Sequence, residues 1–214
     1  MLKKILLSTI LVAMTFMSFA QVFSKGSMNV CVGYGYNAFS HYITDSWSDN
    51  TGFSSSNLGP IHLKYEYMVS DKVGIGLSLN YMSYKVGYNT DMNGTYKASI
   101  QYSSISSLFR TNVYYVNTDK IGIYTGIGLG YRTAVFKEKY EDPNFQGESK
   151  TPNLFPFGME ITTGIKGMFT PNIGAYAEVG FAKSVIQAGI CIGFGGGEGG
   201  GGGGGHRGGG RRQM

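Results

Sequence analysis

Ser40, His41, Asp45 and Ser46 lie within a few residues of one another, and they are the residue types of a serine hydrolase. Such a site needs a hydroxyl nucleophile, an imidazole to take its proton and a carboxylate to orient the imidazole. Their spacing is not diagnostic, because the surrounding segment is rich in Ser and Asp throughout. Of the other histidines, His206 sits in a glycine tract, and His62 opens a different pattern. His62, Lys64 and Glu66 recur at every second position, so an extended chain puts all three on one face. Cys31 and Cys191, the only cysteines, stand near opposite ends of the patterned part of the chain. The run Gly126-Ile127-Gly128-Leu129-Gly130 has neither the following helix nor the setting of a dinucleotide fingerprint. No Walker or zinc motif occurs, so neither cofactor nor metal is called for.

The elements that must position these residues repeat with period two. From Ser27 to Phe194, stretches at 27–36, 58–69, 73–85, 98–116, 121–136, 154–169, 173–182 and 184–194 alternate apolar or aromatic residues with glycine, polar or charged ones. In the fifth, Ile121, Ile123, Ile127, Leu129 and Tyr131 fall on one face and Gly122, Tyr124, Gly126, Gly128 and Gly130 on the other. The fold class predicted is all-β, an eight-stranded antiparallel up-and-down transmembrane β-barrel. Ser70-Asp71-Lys72, Asn117–Lys120 and Thr170-Pro171-Asn172 read as tight turns at one rim, with longer polar segments at 37–57, 87–97 and 137–153 at the other. The last connection, around Lys183, is short against this rule.

Composition supports a lipid-facing exterior. Charged residues make up 14% of the chain, against roughly 25% in soluble domains. Two of the five net positive charges lie on Lys3 and Lys4, and two more in the tail from Gly195, so the pI does not argue for an acidic partner. Residues 1–20 carry a basic start, an apolar run from Ile5 to Phe19 and small residues at Ser18 and Ala20, as a cleaved signal peptide does, making Gln21 the expected mature N-terminus. Residues 21–194 are the expected barrel domain and 195–214 a flexible Gly/Arg-rich tail. That tail is similar in composition to RNA-binding segments, but an exported chain seldom meets RNA, and no nucleic-acid partner is expected.

Alternation alone does not say which face is outside, since a soluble lipocalin-type barrel turns its apolar face inward. Aromatics orient it. Tyr34, Tyr36, Tyr81, Tyr131 and Phe157 fall toward the long-loop rim and Tyr67, Tyr115, Phe169 and Phe194 toward the tight-turn rim, as two membrane girdles would. The opposite, inward frame collects His62, Lys64, Glu66, Asn80, Arg110, Asn112, Arg132, Glu160, Lys166, Glu178 and Gln187. In a barrel whose interior is about wide enough for side chains alone, these are expected to form an ion-pair network filling the lumen. Cys31 and Cys191 share that inward frame on the first and last strands, which are neighbours once the barrel closes. A disulfide across the seam is possible if their Cα atoms come within about 7 Å; the alternative is two buried thiols at different heights.

The last strand, Gln187-Ala188-Gly189-Ile190-Cys191-Ile192-Gly193-Phe194, resembles the C-terminal assembly signal of outer-membrane proteins, with Gln187, Gly189, Ile192 and Phe194 at its polar, glycine, hydrophobic and aromatic positions. The chain is thereby similar to the small outer-membrane barrels of the OmpA/OmpX type, including the porin-family "outer membrane beta-barrel" proteins of Bacteroidetes. It departs from them in carrying about twenty residues beyond the final aromatic. The resemblance implies a monomer in the outer membrane of a Gram-negative bacterium, with membrane lipid and the barrel-assembly machinery as partners. It implies a structural or surface-interaction role rather than an enzymatic one, any extracellular ligand being met by the long loops, with Trp47 and Phe53 among their residues. A narrow solute channel and a lipid A-modifying enzyme using a serine, a histidine and an acid at the outer rim remain alternatives, as does a soluble lipocalin-like carrier.

Overall fold

A computed structural model describes residues 23–36, 53–89, 97–140, 147–152 and 156–195. The expected signal peptide, the Gly/Arg-rich tail and the loop holding Ser40, His41, Asp45, Ser46 and Trp47 lie outside the described residues. Period-two alternation becomes strand throughout: β1 (Met28–Tyr36), β2 (Ser54–Ser70), β3 (Val73–Asn89), β4 (Lys97–Asn117), β5 (Ile121–Tyr140), β6 (Gly147–Pro152), β7 (Phe157–Met168), β8 (Ile173–Phe181) and β9 (Ile186–Phe194). Neighbours pair antiparallel, β9 returns to pair with β1, and β5 pairs with both β4 and β7. The closed ring therefore holds eight strands, with β6 prolonging the β5 hairpin beyond it.

Several boundaries differ from those read in the sequence. β2 begins at Ser54 rather than 58, β3 runs to Asn89 rather than 85, β5 runs to Tyr140 rather than 136, and β6 lies inside an expected loop. Backbone pairing continues there, with Ser54 opposite Gly87 and Gln101 opposite Lys137. Past the belt the alternation reverses rather than continuing: on β3 Met82, Tyr84 and Val86 turn inward and are buried while Lys85 is exposed, because the outer face there meets water. At the other end of the chain, β9 starts at Ile186 rather than 184, and the β8–β9 connection is indeed short, Ala182–Val185. β2 also carries a bulge between Leu58 and Ile61, where Gly59 adopts a φ of 88° that a side chain would strain.

The barrel is inverted relative to a soluble protein. Val32, Ile105, Phe109, Ile127, Leu129, Val179 and Ile190 point outward and are exposed, while His62, Glu160, Arg110 and Lys166 are buried. Soluble monomers rarely expose apolar patches beyond a few hundred Å²; here such residues continue around every strand of the ring. The exposed Tyr34, Tyr36, Tyr81, Tyr131 and Phe157 edge this belt at one rim, and Tyr67, Tyr115 and Phe169 at the other, with Phe194 half-buried. A soluble lipocalin-like carrier is the reverse arrangement, and the orientation excludes it. The belt is a surface made for lipid.

Inside, the barrel is layered. An apolar cluster of Phe23, Met68, Tyr114, Tyr124 and Met168 fills the tight-turn end, and Met82, Tyr84, Val86, Tyr102 and Ala134, with Phe53 against them, fill the long-strand end. Polar residues lie between. Phe23 arrives from before the first strand: Gly26 N donates to Met68 O at 2.8 Å, and Lys25 N to Asp71 Oδ1 at 2.9 Å. Asn117 Nδ2 donates to the Phe23 carbonyl at 2.8 Å. The segment ahead of β1 thus folds into the mouth and seats a phenyl ring that is 1% exposed. Phe23→Ala should cost about 3 kcal/mol, read as a lower temperature at which the folded band is lost in semi-native gels.

Candidate functional site

Arg110 on β4 is the centre of the lumen. Its Nη1 donates to Glu160 Oε1 at 2.8 Å, its Nη2 to Glu178 Oε1 at 2.8 Å and Thr162 Oγ1 at 2.9 Å, and its Nε to Asn112 Oδ1 at 2.7 Å. One guanidinium therefore joins β4 to β7 and β8 across the barrel, using the planar fork that an ammonium lacks. Glu178 accepts from Lys64 Nζ at 2.5 Å and Gln187 Nε2 at 2.8 Å on Oε2, and from Tyr124 Oη at 2.7 Å on Oε1. Toward the tight-turn end, Asn112 Nδ2 donates to Glu66 Oε1 at 2.6 Å. Glu66 Oε2 accepts from Lys166 Nζ at 2.5 Å and Tyr114 Oη at 2.8 Å.

The chain of contacts also runs the other way. Ser78 Oγ lies 3.3 Å from Glu160 Oε2 and 3.2 Å from Asn80 Oδ1, and Asn80 Oδ1 lies 2.5 Å from His62 Nδ1. His62 Nε2 is 2.9 Å from Ser184 Oγ in the β8–β9 connection. From that connection Lys183 Nζ crosses the mouth to the carbonyls of Asn80 and Ser104, at 3.0 Å each. Burial, with Arg132 beside it, pushes the Lys183 ammonium down to about 7. Buried cations Lys64, Arg110 and Lys166 face buried anions Glu66, Glu160 and Glu178, so this network balances charge within itself.

Space for these side chains comes from glycine on the facing strands. Gly128 is in register with both Arg110 and Glu160, and Gly164 with Glu178. A Cβ at Gly164 would meet Glu178 Cγ at 2.6 Å, the Ala177 carbonyl at 2.9 Å and Tyr124 Cζ at 3.0 Å; one at Gly128 would meet Glu160 Cγ at 2.6 Å. Large charged groups and absent side chains are two halves of one packing solution.

Ten of the eleven residues of the inward frame are buried together; Arg132 is the exception. It stands half-buried nearer the long-strand mouth, donating to Tyr102 Oη at 2.9 Å and lying 3.4 Å from Ser104 Oγ, hydroxyls rather than the Glu160 and Glu178 carboxylates expected to share its neighbourhood. Sequence reasoning missed Tyr114, Thr162, Ser184 and Lys183. The first two sit in frame with Asn112 and Glu160, and that frame was the available signal; the last two carry none, because they lie in a connection. No cluster of three or more His, Cys, Asp or Glu side chains among the described residues could hold a metal ion. A self-neutralised lattice with every carboxylate engaged offers cross-linking rather than an open reactive group.

At the seam, Cys31 is directly opposite Cys191, with Cα atoms 4.0 Å apart, and the two are disulfide-bonded. Tyr176 packs beside the bridge, and Lys64 Nζ lies 5.0 Å from its ring centroid. Within the terminal motif Gln187 points inward to Glu178, while Ile192 is exposed on the lipid face. Gly189 leaves room for Tyr176 Cε1, which a Cβ would meet at 2.7 Å. Phe194 sits at the rim opposite Met28.

A closed eight-stranded ring with a lipid-facing belt and a charged, glycine-relieved interior defines an integral membrane β-barrel of the smallest kind. No protein-family model and no curated protein matches the chain. Among solved structures it is similar to Ail, the attachment invasion locus protein of Yersinia pestis, at 14% identity over 79% of this chain and 95% of that one, with a TM-score of 0.40. The N-terminal β-barrel domain of Pseudomonas aeruginosa OprF gives 16% identity over 79% and 97%, at a TM-score of 0.34. The P. aeruginosa outer membrane protein OprG gives 12% over 82% and 99%, at 0.42.

Arg110→Met should leave Glu160 and Glu178 buried without their shared partner and cost about 3–5 kcal/mol, measured by urea denaturation of the refolded protein in detergent. The bridge closes a loop with a sequence separation of 160 residues, for which chain entropy gives on the order of 5 kcal/mol. Unfolded wild type should run faster on non-reducing than on reducing gels, and Cys31→Ser should abolish the difference.

Proposed function

We propose that the protein is an outer-membrane barrel of a Gram-negative bacterium with a structural or surface-interaction role, its lumen plugged rather than conducting. The observation that carries this is the guanidinium of Arg110, held to Glu160 and Glu178 at 2.8 Å in the middle of the barrel, with apolar side chains closing both ends. A conducting pore needs a water-filled path, and moving Arg110 aside would take from buried Glu160 its cation and leave buried Glu178 to Lys64 alone. The apolar belt supports residence in a bilayer, and strands in place of spanning helices support the outer membrane.

In this reading residues 1–20 are removed on export, the tight turns and tail from Gly195 lie in the periplasm, and residues 187–194 present the assembly signal. The strands that extend past the belt carry the loops outward, where recognition would occur.

Purified full chain in planar bilayers should show no conductance steps. Arg110→Ala, which removes the central cross-link, should admit small flickering currents if it still closes. Discrete steps from the wild type would replace the plugged barrel by a narrow channel. Recovery of the protein in the detergent-extracted outer-membrane fraction, with heat-modifiable gel mobility, checks the location.

A further inference from the structure

Among the described residues, charge on the outer wall of the barrel is confined to one sector. Along β1, β2, β7, β8 and β9 the described outward positions are uncharged, whereas β3 and β5 turn Lys85, Lys137 and Lys139 outward, all exposed. Pairing fixes their heights. Tyr81 and Ile105 form one outward row at the top of the apolar belt; Ser83, Ser103 and Val135 form the next; Lys85, Gln101 and Lys137 form the third. The backbone partner of Lys137 on β6 is Lys150, so the row ends on another lysine position. Within it no position is acidic; Glu138 on β5 lies in the other frame, and the Glu148 position on β6 is paired with Lys139 in the next row, so that pair balances itself and leaves the Lys85–Lys137 row as the cationic one.

Resting on the outer-membrane reading, we propose that Lys85, Gln101 and Lys137 form a binding strip for the phosphate-bearing headgroup of a lipid in the outer leaflet. The strip stands about 13 Å along the strand beyond Tyr81, at headgroup depth for a chain whose tyrosines mark the edge of the hydrocarbon. Its two lysines flank a single strand and so are about 10 Å apart, a span matched to a headgroup carrying two phosphates. Position selects the occupant. A lipid whose acyl chains lie on Ile105, Leu79 and Phe109 of the same strands brings its headgroup to this height. The Ser83–Ser103 hydroxyl pair, 3.0 Å apart, lies between belt and strip and gives the sugar or glycerol of such a lipid polar neighbours. Lysine at an anionic surface acts as a point charge that salt screens, so the contact should weaken with ionic strength.

The test uses the full chain in phosphatidylcholine nanodiscs doped with bis-phosphorylated lipid A, with native mass spectrometry counting retained lipid A. Wild type should hold it preferentially, Lys85→Gln with Lys137→Gln should lose roughly ten-fold in retention, and Lys72→Gln with Lys120→Gln at the opposite rim should not differ from wild type. Removing the phosphates from the lipid should reproduce the loss on the wild type, and millimolar inorganic phosphate should compete poorly because it lacks the acyl anchor. Equal retention by the Lys85/Lys137 variant, or equal retention of dephosphorylated lipid, would overturn the strip while leaving the barrel reading intact. Failure of the wild type to enter the discs would overturn both, and heat-modifiable mobility distinguishes that case from misfolding.

Discussion

A charge inside a narrow closed barrel cannot reach water, so it must find its partner among the few side chains that share its height. That constraint organises the molecule. Glu178 is reached by Lys64, Arg110, Gln187 and Tyr124, which come from four different strands. Each contact holds only if the ring is closed and in register, because a slip by one residue would turn these groups into lipid and put isoleucines in the lumen. A lone buried charge would be strongly penalised, and a buried pair only roughly breaks even against an apolar core. What the network supplies is therefore less net stability than the choice of one register among many.

Glycine and the seam follow from the same requirement. A guanidinium and three carboxylates occupy more of the cross-section than leucines would, and Gly128 and Gly164 give back that volume where Glu160 and Glu178 cross. Glycine weakens a free strand by entropy, and Gly128 and Gly164 lie where their strands are paired on both sides. The seam is the one junction whose two strands are separated by nearly the whole barrel in sequence, so closing it costs the most loop entropy. It is also where Cys31 and Cys191 are joined.

Fold and lumen differed in how far the sequence revealed them. Period two survives in any window, so Ile121 to Tyr131 declared a two-faced strand without knowledge of its neighbours, and the inward frame named Arg110, Glu160 and Glu178 as companions. Which of them touch could not be read, because Lys64 and Glu178 are 114 residues apart and meet through the tilt and stagger of the whole ring. Arg132 shows the limit: correct in frame, it sits nearer the mouth, bonded to Tyr102. Phe23 lies before the first alternation and Lys183 in a turn, so neither belonged to a pattern that marked it as a lumen residue. The extended ends of β2, β3 and β5 were invisible for the opposite reason. Their backbone ladder persists, but past the belt the outer face meets water and on β3 the inner face carries buried Val86, so the apolar-outward pattern that marked the belt no longer holds.

Unequal strand length then decides where the molecule can interact. β1, β8 and β9 end near the level of Tyr36, Phe181 and Ile186, with only Ala182–Val185 joining the last two, and that connection is drawn inward by Ser184 on His62 and Lys183 on two carbonyls. β2 to β5 continue well past that level. One side of the rim is thus spent on covering the lumen and the other rises clear of the belt. The lumen is occupied by its own ion pairs and the belt is apolar, so the raised sector of β2 to β6 is a described surface not already committed to holding the barrel together. A barrel of uniform height would present its loops as a symmetric crown. This one presents a wall with an inner and an outer face, and its outward lysines stand on that wall because only there do strands leave the hydrocarbon with their outer face still formed.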